Sequence, residues 1–176
     1  MILFPKIVSF SLHLFSLPVS LSVAVCTVCG LPSMEGNGII MCDGCQAAVH
    51  ISCYAVTDEE LKKDKWFCLP CRKNVPLRLP DGSPNPERTC CVCNHMGGAF
   101  SITEGNKWVH TSCALYLPDT KFSDTAVVTL PKFPDNPAEC CICHNRFGIT
   151  RKCSFFECPN HVHVHCVVRS LHYSNS

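Results

Sequence analysis

Apolar residues are distributed unevenly along the chain, with one long apolar segment at its start and only short ones after it. Residues 1–25 are almost continuously apolar, contain one early lysine and end in a small-x-small pattern at residues 22–24. This arrangement is typical of a secretory signal peptide. Further along, residues 39–41 form an apolar triplet behind a glycine-rich turn at residues 36–38, which predicts a short β-strand.

A polar segment after this strand has the signature of a helix start. Thr57 and Glu60 stand in the Thr-x-x-Glu spacing of a capping box, in which each side chain accepts a hydrogen bond from a backbone N–H of the first turn. We therefore expect a polar helical turn that runs from this box to Lys65. Its charges are interpreted as a solvated face.

Cysteine content bounds the architecture. Seventeen of the 176 residues are cysteine, a share that favours several very small units over one ordinary domain. Such units cannot bury enough apolar surface to be stable without metal or covalent cross-links. The formal net charge of +1 excludes a strongly basic nucleic-acid arm or an acidic tail, but it is compatible with local basic patches.

The spacing of the cysteines decides between disulfides and bound metal. The first part of the array consists of four pairs, and two residues separate the members of each pair: Cys26 and Cys29, Cys42 and Cys45, His50 and Cys53, Cys68 and Cys71. Two such pairs can hold one tetrahedral Zn²⁺ with no open position, whereas disulfides impose no repeat of short pairs. Disulfides also leave the paired histidine unexplained, so the array predicts zinc.

With these pairs, and with Trp66 two residues before the seventh ligand, residues 26–73 resemble a PHD finger. A RING finger has related spacing but carries its histidine earlier and lacks this tryptophan. The resemblance implies that Trp66 is a core aromatic and that the two zinc sites are cross-braced. One site would use Cys26, Cys29, His50 and Cys53, and the other Cys42, Cys45, Cys68 and Cys71.

A proline-rich linker, residues 74–89, separates this finger from a second array at residues 90–117. Its donors have the spacing of one closed zinc site: Cys90, Cys93, His110 and Cys113. With the sequence around them they resemble the zinc knuckle that follows the first PHD finger in the Jade and bromodomain-PHD families of chromatin proteins. We expect Phe100 and Trp108 to form a miniature core there.

A connector, residues 118–139, leads to a third array at residues 140–176, which resembles the second, extended PHD finger of the same families. The family's cross-brace implies one closed site, on Cys140, Cys143, His163 and Cys166. Cys153 and Cys158 lack the final cysteine pair of a complete finger. We therefore expect this finger to be truncated and its second site to be incomplete, unless His161, His165 or His172 completes it.

The predicted fold class is a set of small zinc-stabilised domains, mostly irregular, with short antiparallel β-strands and short helices. We expect four zinc sites and an incomplete fifth. Cys91 and Cys141 each stand next to an assigned ligand, and they are either spare thiols or alternative ligands after a one-residue slip.

The apolar leader conflicts with a zinc protein. Cleavage at its end would leave Cys26, the first ligand, almost at the new terminus. Free thiolates persist in reducing compartments, and the related proteins work in the nucleus. We therefore expect nuclear localisation, and we interpret residues 1–25 as an aberrant start from an alternative or mis-assigned first exon, over a working signal peptide or anchor.

Catalysis is not expected from this sequence. The cysteines and histidines in ligand spacing are committed to closed zinc sites, which leaves no open position to activate water and no nucleophile paired with a base. We predict that the chain is not an enzyme, has no small-molecule substrate and does not bind membranes.

Resemblance to PHD fingers implies a reader of the histone H3 tail. A strand at Ile39, Ile40 and Met41 could accept an extended peptide at its edge. Asp43 could receive a peptide arginine and Glu35 an unmodified lysine ammonium. A purely local turn role for Asp43 is an equal alternative.

The predicted reader lacks the residues of a methyl-lysine cage, which holds its cation by cation–π contacts. In PHD fingers that read trimethyl-lysine, a cage tryptophan lies two residues before the histidine ligand, and Ala48 occupies that position here. Ile39 stands where such readers often carry another aromatic. The resemblance therefore implies a preference for unmodified or little-methylated lysine.

Two further functions stay open. The knuckle and the second finger could contact DNA phosphates through Lys107, Arg151 and Lys152, although scattered solubilising charge explains these residues equally well. Alternatively, the fingers could be a protein-interaction scaffold of a histone-modifying complex, without direct histone binding.

Overall fold

The computed structural model describes residues 24–123 and 127–173, with side chains as far as residue 170. The predicted leader, residues 1–25, lies outside the described residues apart from its last two. Among the helices of the described ranges, none has the length and apolar content that crossing a membrane requires.

Secondary structure is sparse and short, in agreement with the predicted fold class. The strands are β1 (Ile39–Met41), β2 (Ala48–His50), β3 (Phe100–Thr103), β4 (Trp108–His110), β5 (Lys121–Phe122), β6 (Val127–Thr129), β7 (Arg151–Lys152) and β8 (His161–Val162). The helices are α1 (Asp58–Leu61), α2 (Leu69–Arg72), α3 (Thr111–Tyr116) and α4 (Val164–Tyr173), with 3-10 turns at Ser52–Tyr54 and Pro86–Arg88. We name residues 26–73 the first finger, residues 90–117 the knuckle and residues 140–173 the second finger.

One backbone turn recurs at four Cys-x2-Cys pairs. In each, the carbonyl of the first cysteine accepts a hydrogen bond of 2.8–2.9 Å from the N–H four residues later, and the residue that donates it has a positive φ. These left-handed positions are held by Gly30, Gln46, Asn94 and His144. The turn reverses the chain, so that both sulfurs of a pair can reach one ion.

The first finger is built on the antiparallel pair β1–β2, which confirms the strand predicted at residues 39–41. Its core contains Trp66, which is 4 % exposed, as the resemblance implied. The ring of Tyr54 packs edge-on against this tryptophan, with the ring centres 5.7 Å apart.

The predicted capping box is present, since Thr57 and Glu60 each accept the backbone N–H of the other. Helix α1 nevertheless ends at Leu61, four residues before the predicted end at Lys65. The chain leaves the helix early because the backbone of Trp66 is paired with Asp43, which holds the intervening residues in a non-helical path.

The knuckle contributes two neighbouring strands, β4 at the edge and β3 beside it, to a four-stranded sheet in the order β4–β3–β6–β5. Strand β3 is antiparallel to β4 but parallel to β6, so the pairing is not purely antiparallel as predicted. Because β5 and β6 belong to residues 118–139, the segment predicted as a connector completes this sheet. Phe100, Trp108 and Val128 meet in one buried cluster, which confirms the predicted miniature core.

Direct contacts join the three units. The Tyr54 hydroxyl of the first finger donates to the Phe100 carbonyl of the knuckle at 2.6 Å, and burial raises the pKa of this tyrosine. Between the knuckle and the second finger, the Ile149 N–H of the second finger donates to the Val92 carbonyl of the knuckle at 3.2 Å. The His165 ring also stacks on that of His110, with the ring centres 3.6 Å apart.

Candidate metal centres and peptide-binding edge

Four groups of cysteine and histidine side chains converge in the described residues, and within each group the donor atoms lie within 4.8 Å of one another. Two belong to the first finger and are interleaved along the chain, as the cross-brace implied. One belongs to the knuckle, and one lies at the junction of the knuckle with the second finger. The groups are Cys26, Cys29, His50 and Cys53; Cys42, Cys45, Cys68 and Cys71; Cys90, Cys93, His110 and Cys113; and His95, Cys143, His163 and Cys166.

The three predicted histidine ligands are held in the same way. Each Nε2 lies 2.7–2.8 Å from a backbone carbonyl, that of Pro32, Gly97 or Phe147. A carbonyl only accepts, so Nε2 carries the proton and donates. Each Nδ1 then presents its lone pair to the cluster, at 3.2–3.4 Å from a cysteine sulfur. Such an outer hydrogen bond fixes the tautomer and the ring orientation that a metal needs.

In three of the groups the first cysteine receives a backbone hydrogen bond that favours the thiolate. The sulfur of Cys26 accepts from the N–H of His50 at 3.2 Å, and the sulfurs of Cys42 and Cys90 accept in the equivalent way at 3.3 Å. In the second group, the hydrogen bond between Cys45 and Cys68 lowers the pKa of Cys45 and raises that of Cys68. Thiolates and neutral imidazoles are the protonation states that bind metal.

The donor sets fit zinc. Three groups offer cysteine sulfurs with one or more imidazoles, and the Cys42 group offers four sulfurs. Sulfur-rich tetrahedral sets of this kind are typical of structural Zn²⁺ sites, which are closed to substrate. We therefore assign four zinc sites, in agreement with the number expected from spacing.

The fourth group differs from the spacing prediction in one donor. His95 lies among Cys143, His163 and Cys166, although no sequence spacing links a knuckle histidine to this site. Cys140, the predicted fourth ligand, accepts the His163 N–H at 3.3 Å, just as Cys26 and Cys90 accept theirs. Because Cys140 repeats the geometry of the other sites, we propose it as the ligand and regard His95 as an additional nearby donor.

The predicted fifth site does not form a group of three or more donors in the part of the chain that the structure describes. Cys153 and Cys158 join no group of three or more donors there. Of the possible substitutes, His161 belongs to β8 and His165 is stacked on the knuckle ligand His110. The side chain of His172 lies outside the described residues.

The spare cysteines have a common explanation. In all four turns the residue after the first cysteine donates its N–H, at 2.8–2.9 Å, to the carbonyl two residues before the third ligand. Thr27, Asp43, Cys91 and Cys141 occupy this position. Cys91 and Cys141 therefore serve as backbone donors, and neither belongs to a metal group of the described residues.

Strand β1 has one edge that faces away from β2. The residues that flank the two strands continue their pairing, since the Ile51 N–H donates to the Gly38 carbonyl at 3.1 Å and the Cys42 N–H to the Ala47 carbonyl at 3.0 Å. In an antiparallel ladder alternate residues turn their backbone groups to opposite edges. Ile40 therefore faces β2, whereas the N–H and C=O groups of Ile39 and Met41 face the outer edge.

The two predicted acidic contacts lie close to this strand in sequence. Glu35 is exposed in the turn that precedes β1. The Asp43 carboxylate follows β1 and accepts the Trp66 N–H at 2.8 Å through Oδ2. Asp43 thus has a structural role in the fold, across 23 residues and not within its own turn, and its side chain remains at the surface.

The predicted DNA-contacting cations are all exposed but belong to different units. Lys107 lies in the knuckle, whereas Arg151 and Lys152 form β7 of the second finger. Lys107 also lines an open groove of about 700 Å³ between the linker and the knuckle, with Lys73, Val75, Glu87 and Trp108 among the other lining residues. Sequence spacing gave no signal for this groove, because its walls come from distant segments.

Comparison with known proteins gives consistent matches. Jade-1 of Bos taurus is 32 % identical over 150 residues, which cover 81 % of this chain and 27 % of that protein. PHD finger protein 14 of Danio rerio is 32 % identical over 167 residues, covering 84 % of this chain and 17 % of that protein. The chain thus spans only a minor part of these relatives. E3 ubiquitin-protein ligase Jade-2 of Homo sapiens is 31 % identical over 150 residues, which cover 81 % of this chain and 17 % of that protein.

A solved structure has the same arrangement. The crystal structure of the zebrafish PHF14-PZP matches with a TM-score of 0.62 and 31 % identity, covering 82 % of this chain and 74 % of that one. Two family models also match: the PHD-finger over residues 26–71, and the PHD-zinc-finger like domain over residues 88–175. With its metal groups, its fold and these matches in agreement, the chain belongs to the PHD zinc-finger family.

Proposed function

We propose that this chain is a chromatin-associated module that binds the N-terminal tail of histone H3 in the nucleus. The observation that carries the proposal is the outward edge of β1, whose backbone groups at Ile39 and Met41 can pair with an extended peptide. Membership of the PHD zinc-finger family supports the same function, which the similar Jade and PHD finger proteins suggest.

Acidic side chains near this edge suit the basic H3 tail. Glu35 is exposed before the strand and can meet a lysine ammonium. Asp43 uses Oδ2 to hold Trp66, and its other carboxylate oxygen can accept from a peptide arginine. Both contacts would lie at the surface, so we expect each to set peptide register more than affinity.

We also propose a preference for unmodified or little-methylated lysine, which the side chains around the edge support. Ala48 is buried in β2, opposite Met41, and offers no ring at the position of a cage tryptophan. Ile39 is likewise aliphatic. A methylated ammonium loses hydrogen-bond donors and would gain no cation–π contact in return.

A proline at the outer edge of β1 will weaken binding of the H3 peptide. Met41→Pro removes one outward N–H and leaves the inner ladder at Ile40 intact, which is where edge strands tolerate proline. We expect about tenfold weaker binding, because one backbone hydrogen bond is worth about 1 kcal/mol and the ring obstructs the next. Isothermal titration calorimetry of the zinc-loaded chain with an unmodified H3 peptide measures this.

Met41→Ala is the matched control, since it removes the same exposed side chain but keeps the N–H. It should bind within about twofold of the wild type, because exposed contacts contribute little. Equal affinity of Met41→Pro and Met41→Ala would show that the edge is not the binding site. A trimethyl-lysine peptide should bind no more tightly than the unmodified one.

Absence of binding to either peptide, with full zinc content, would favour the alternative function, a zinc-dependent interaction scaffold of a histone-modifying complex. DNA contact by Lys107, Arg151 and Lys152 stays a prediction, to be checked by the salt dependence of duplex binding. We propose binding rather than catalysis for this chain. One relative is named an E3 ubiquitin-protein ligase, but this chain spans only 17 % of that protein.

A further inference from the structure

Arg88 is the most unusual buried group of the described residues. It ends the 3-10 turn of the linker, two residues before the first knuckle ligand, and it is 0 % exposed. A guanidinium is always charged and is costly to bury without a partner. Its surroundings should therefore reveal what neutralises it.

The acceptors around Arg88 are the sulfurs of a metal site. Nη2 donates to Cys45 at 2.9 Å and to Cys68 at 3.4 Å. Nη1 donates to Cys71 at 3.4 Å and to the Val75 carbonyl at 3.2 Å. The guanidinium thus contacts three of the four ligands in the Cys42 group.

This site is also the most anionic of the four. Four thiolates around Zn²⁺ leave two negative charges, whereas three thiolates and a neutral imidazole leave one. A buried cation reduces the charge of the four-cysteine site to that of the others. The planar fork of arginine, with donors on both terminal nitrogens, can reach several sulfurs at once.

The other side of Arg88 lies against the knuckle. Its Cζ atom is 5.9 Å from the ring centre of Phe100, a fully buried residue of the knuckle core. Asn85, which is also buried, fixes the turn by donating to the Pro76 carbonyl at 3.0 Å and accepting from the Glu87 N–H at 3.0 Å. The linker therefore places Arg88 at the junction between the first finger and the knuckle.

We propose that Arg88 is an outer-shell positioning residue of the four-cysteine zinc site, through which the knuckle stabilises metal binding in the first finger. The linker is then part of the metal site, and a first finger cut off before Arg88 holds this zinc less firmly. The proposal concerns metal retention and does not depend on the peptide that the chain binds.

Removal of the guanidinium will make one zinc site labile and leave the others unchanged. In the zinc-loaded full chain, Arg88→Met should increase the alkylation rates of Cys45, Cys68 and Cys71 in the presence of a chelator. Outer-shell substitutions cost about 10–100-fold in metal affinity, so a rate increase of that size is expected. Peptide mass mapping reads each cysteine separately, and Cys26 and Cys29 should react at the wild-type rate.

Two further variants separate charge from packing. Arg72→Met removes a cation that pairs with Glu60 instead of sulfur, and it should leave all rates unchanged. Arg88→Lys keeps the charge and should restore part of the protection. The proposal is overturned if Arg88→Met leaves the three cysteines as slow as in the wild type. It is equally overturned if all ligand cysteines accelerate together and Arg88→Lys protects none of them.

Discussion

Chelation of zinc will unfold the protein, and this is the largest effect that we expect. The centre of the first finger is occupied by ligands, since Cys26, Cys42, His50 and Cys68 are fully buried there. A structural zinc contributes about 10–16 kcal/mol in zinc-finger peptides, which is as much as the whole stability of a typical domain, about 5–15 kcal/mol. Without the metal, the remaining apolar core is too small to hold the chain.

Tryptophan fluorescence is a direct readout of this unfolding. The chain has two tryptophans, and both are buried, Trp66 in the first finger and Trp108 in the knuckle. A zinc-selective chelator should shift the emission of both to that of solvated indole, and re-addition of zinc under reducing conditions should reverse the shift. A chain that keeps its native emission after complete loss of metal would contradict the assignment.

The zinc content of two neighbouring cysteine variants tests the assignment of the ligands. Wild-type protein should contain four equivalents, Cys140→Ser should contain about three, and its neighbour Cys141→Ser should keep four. Cys141 is exposed and uses only its backbone N–H, whereas Cys140 accepts the His163 N–H as the first ligand of the other histidine-containing sites does. A fifth equivalent would mean that Cys153 and Cys158 acquire further ligands.

The metal sites could be predicted because each pair of ligands is encoded by a few consecutive residues. A Cys-x2-Cys turn determines its own geometry, so Cys26, Cys29 and their counterparts were identified by spacing alone. The capping box at Thr57 and the strand at residues 39–41 are local in the same sense, and both are present. The interleaving of the two sites in the first finger was predicted from family resemblance. Spacing alone does not determine which two ligand pairs share one zinc.

Contacts between units could not be predicted from spacing. Arg88 reads as one more linker cation until the fold brings it to sulfurs 17 to 43 residues away. His95 reads as a loop residue of the knuckle, yet it lies among the donors of the second finger. Asp43 was expected either to contact a peptide or to have a local turn role, whereas its carboxylate bonds to Trp66 across 23 residues. Each depends on tertiary packing, which a short motif does not encode.

Gly148→Ala will separate the second finger from the knuckle. A Cβ at this position would lie 1.9 Å from the Val92 carbonyl oxygen, and the adjacent Ile149 N–H donates to that same oxygen. The obstacle is backbone, so no side-chain rotation can relieve it. With its φ of +74°, the substitution also carries the strain of a left-handed alanine. We expect a loss of about 3 kcal/mol or more in the docking of this unit, since overpacking alone costs about 1–3 kcal/mol.

Gly82→Ala is the control that isolates the contact from the backbone strain. Gly82 has a φ of +82°, but a Cβ there meets nothing within 4 Å, so only about 1 kcal/mol should be lost. Hydrogen exchange followed by mass spectrometry should show faster exchange in residues 140–173 for Gly148→Ala, with residues 26–73 unchanged in both variants. If the two alanine variants exchange alike, the second finger does not depend on this contact. The stacking of His165 on His110 would then have to hold the junction by itself.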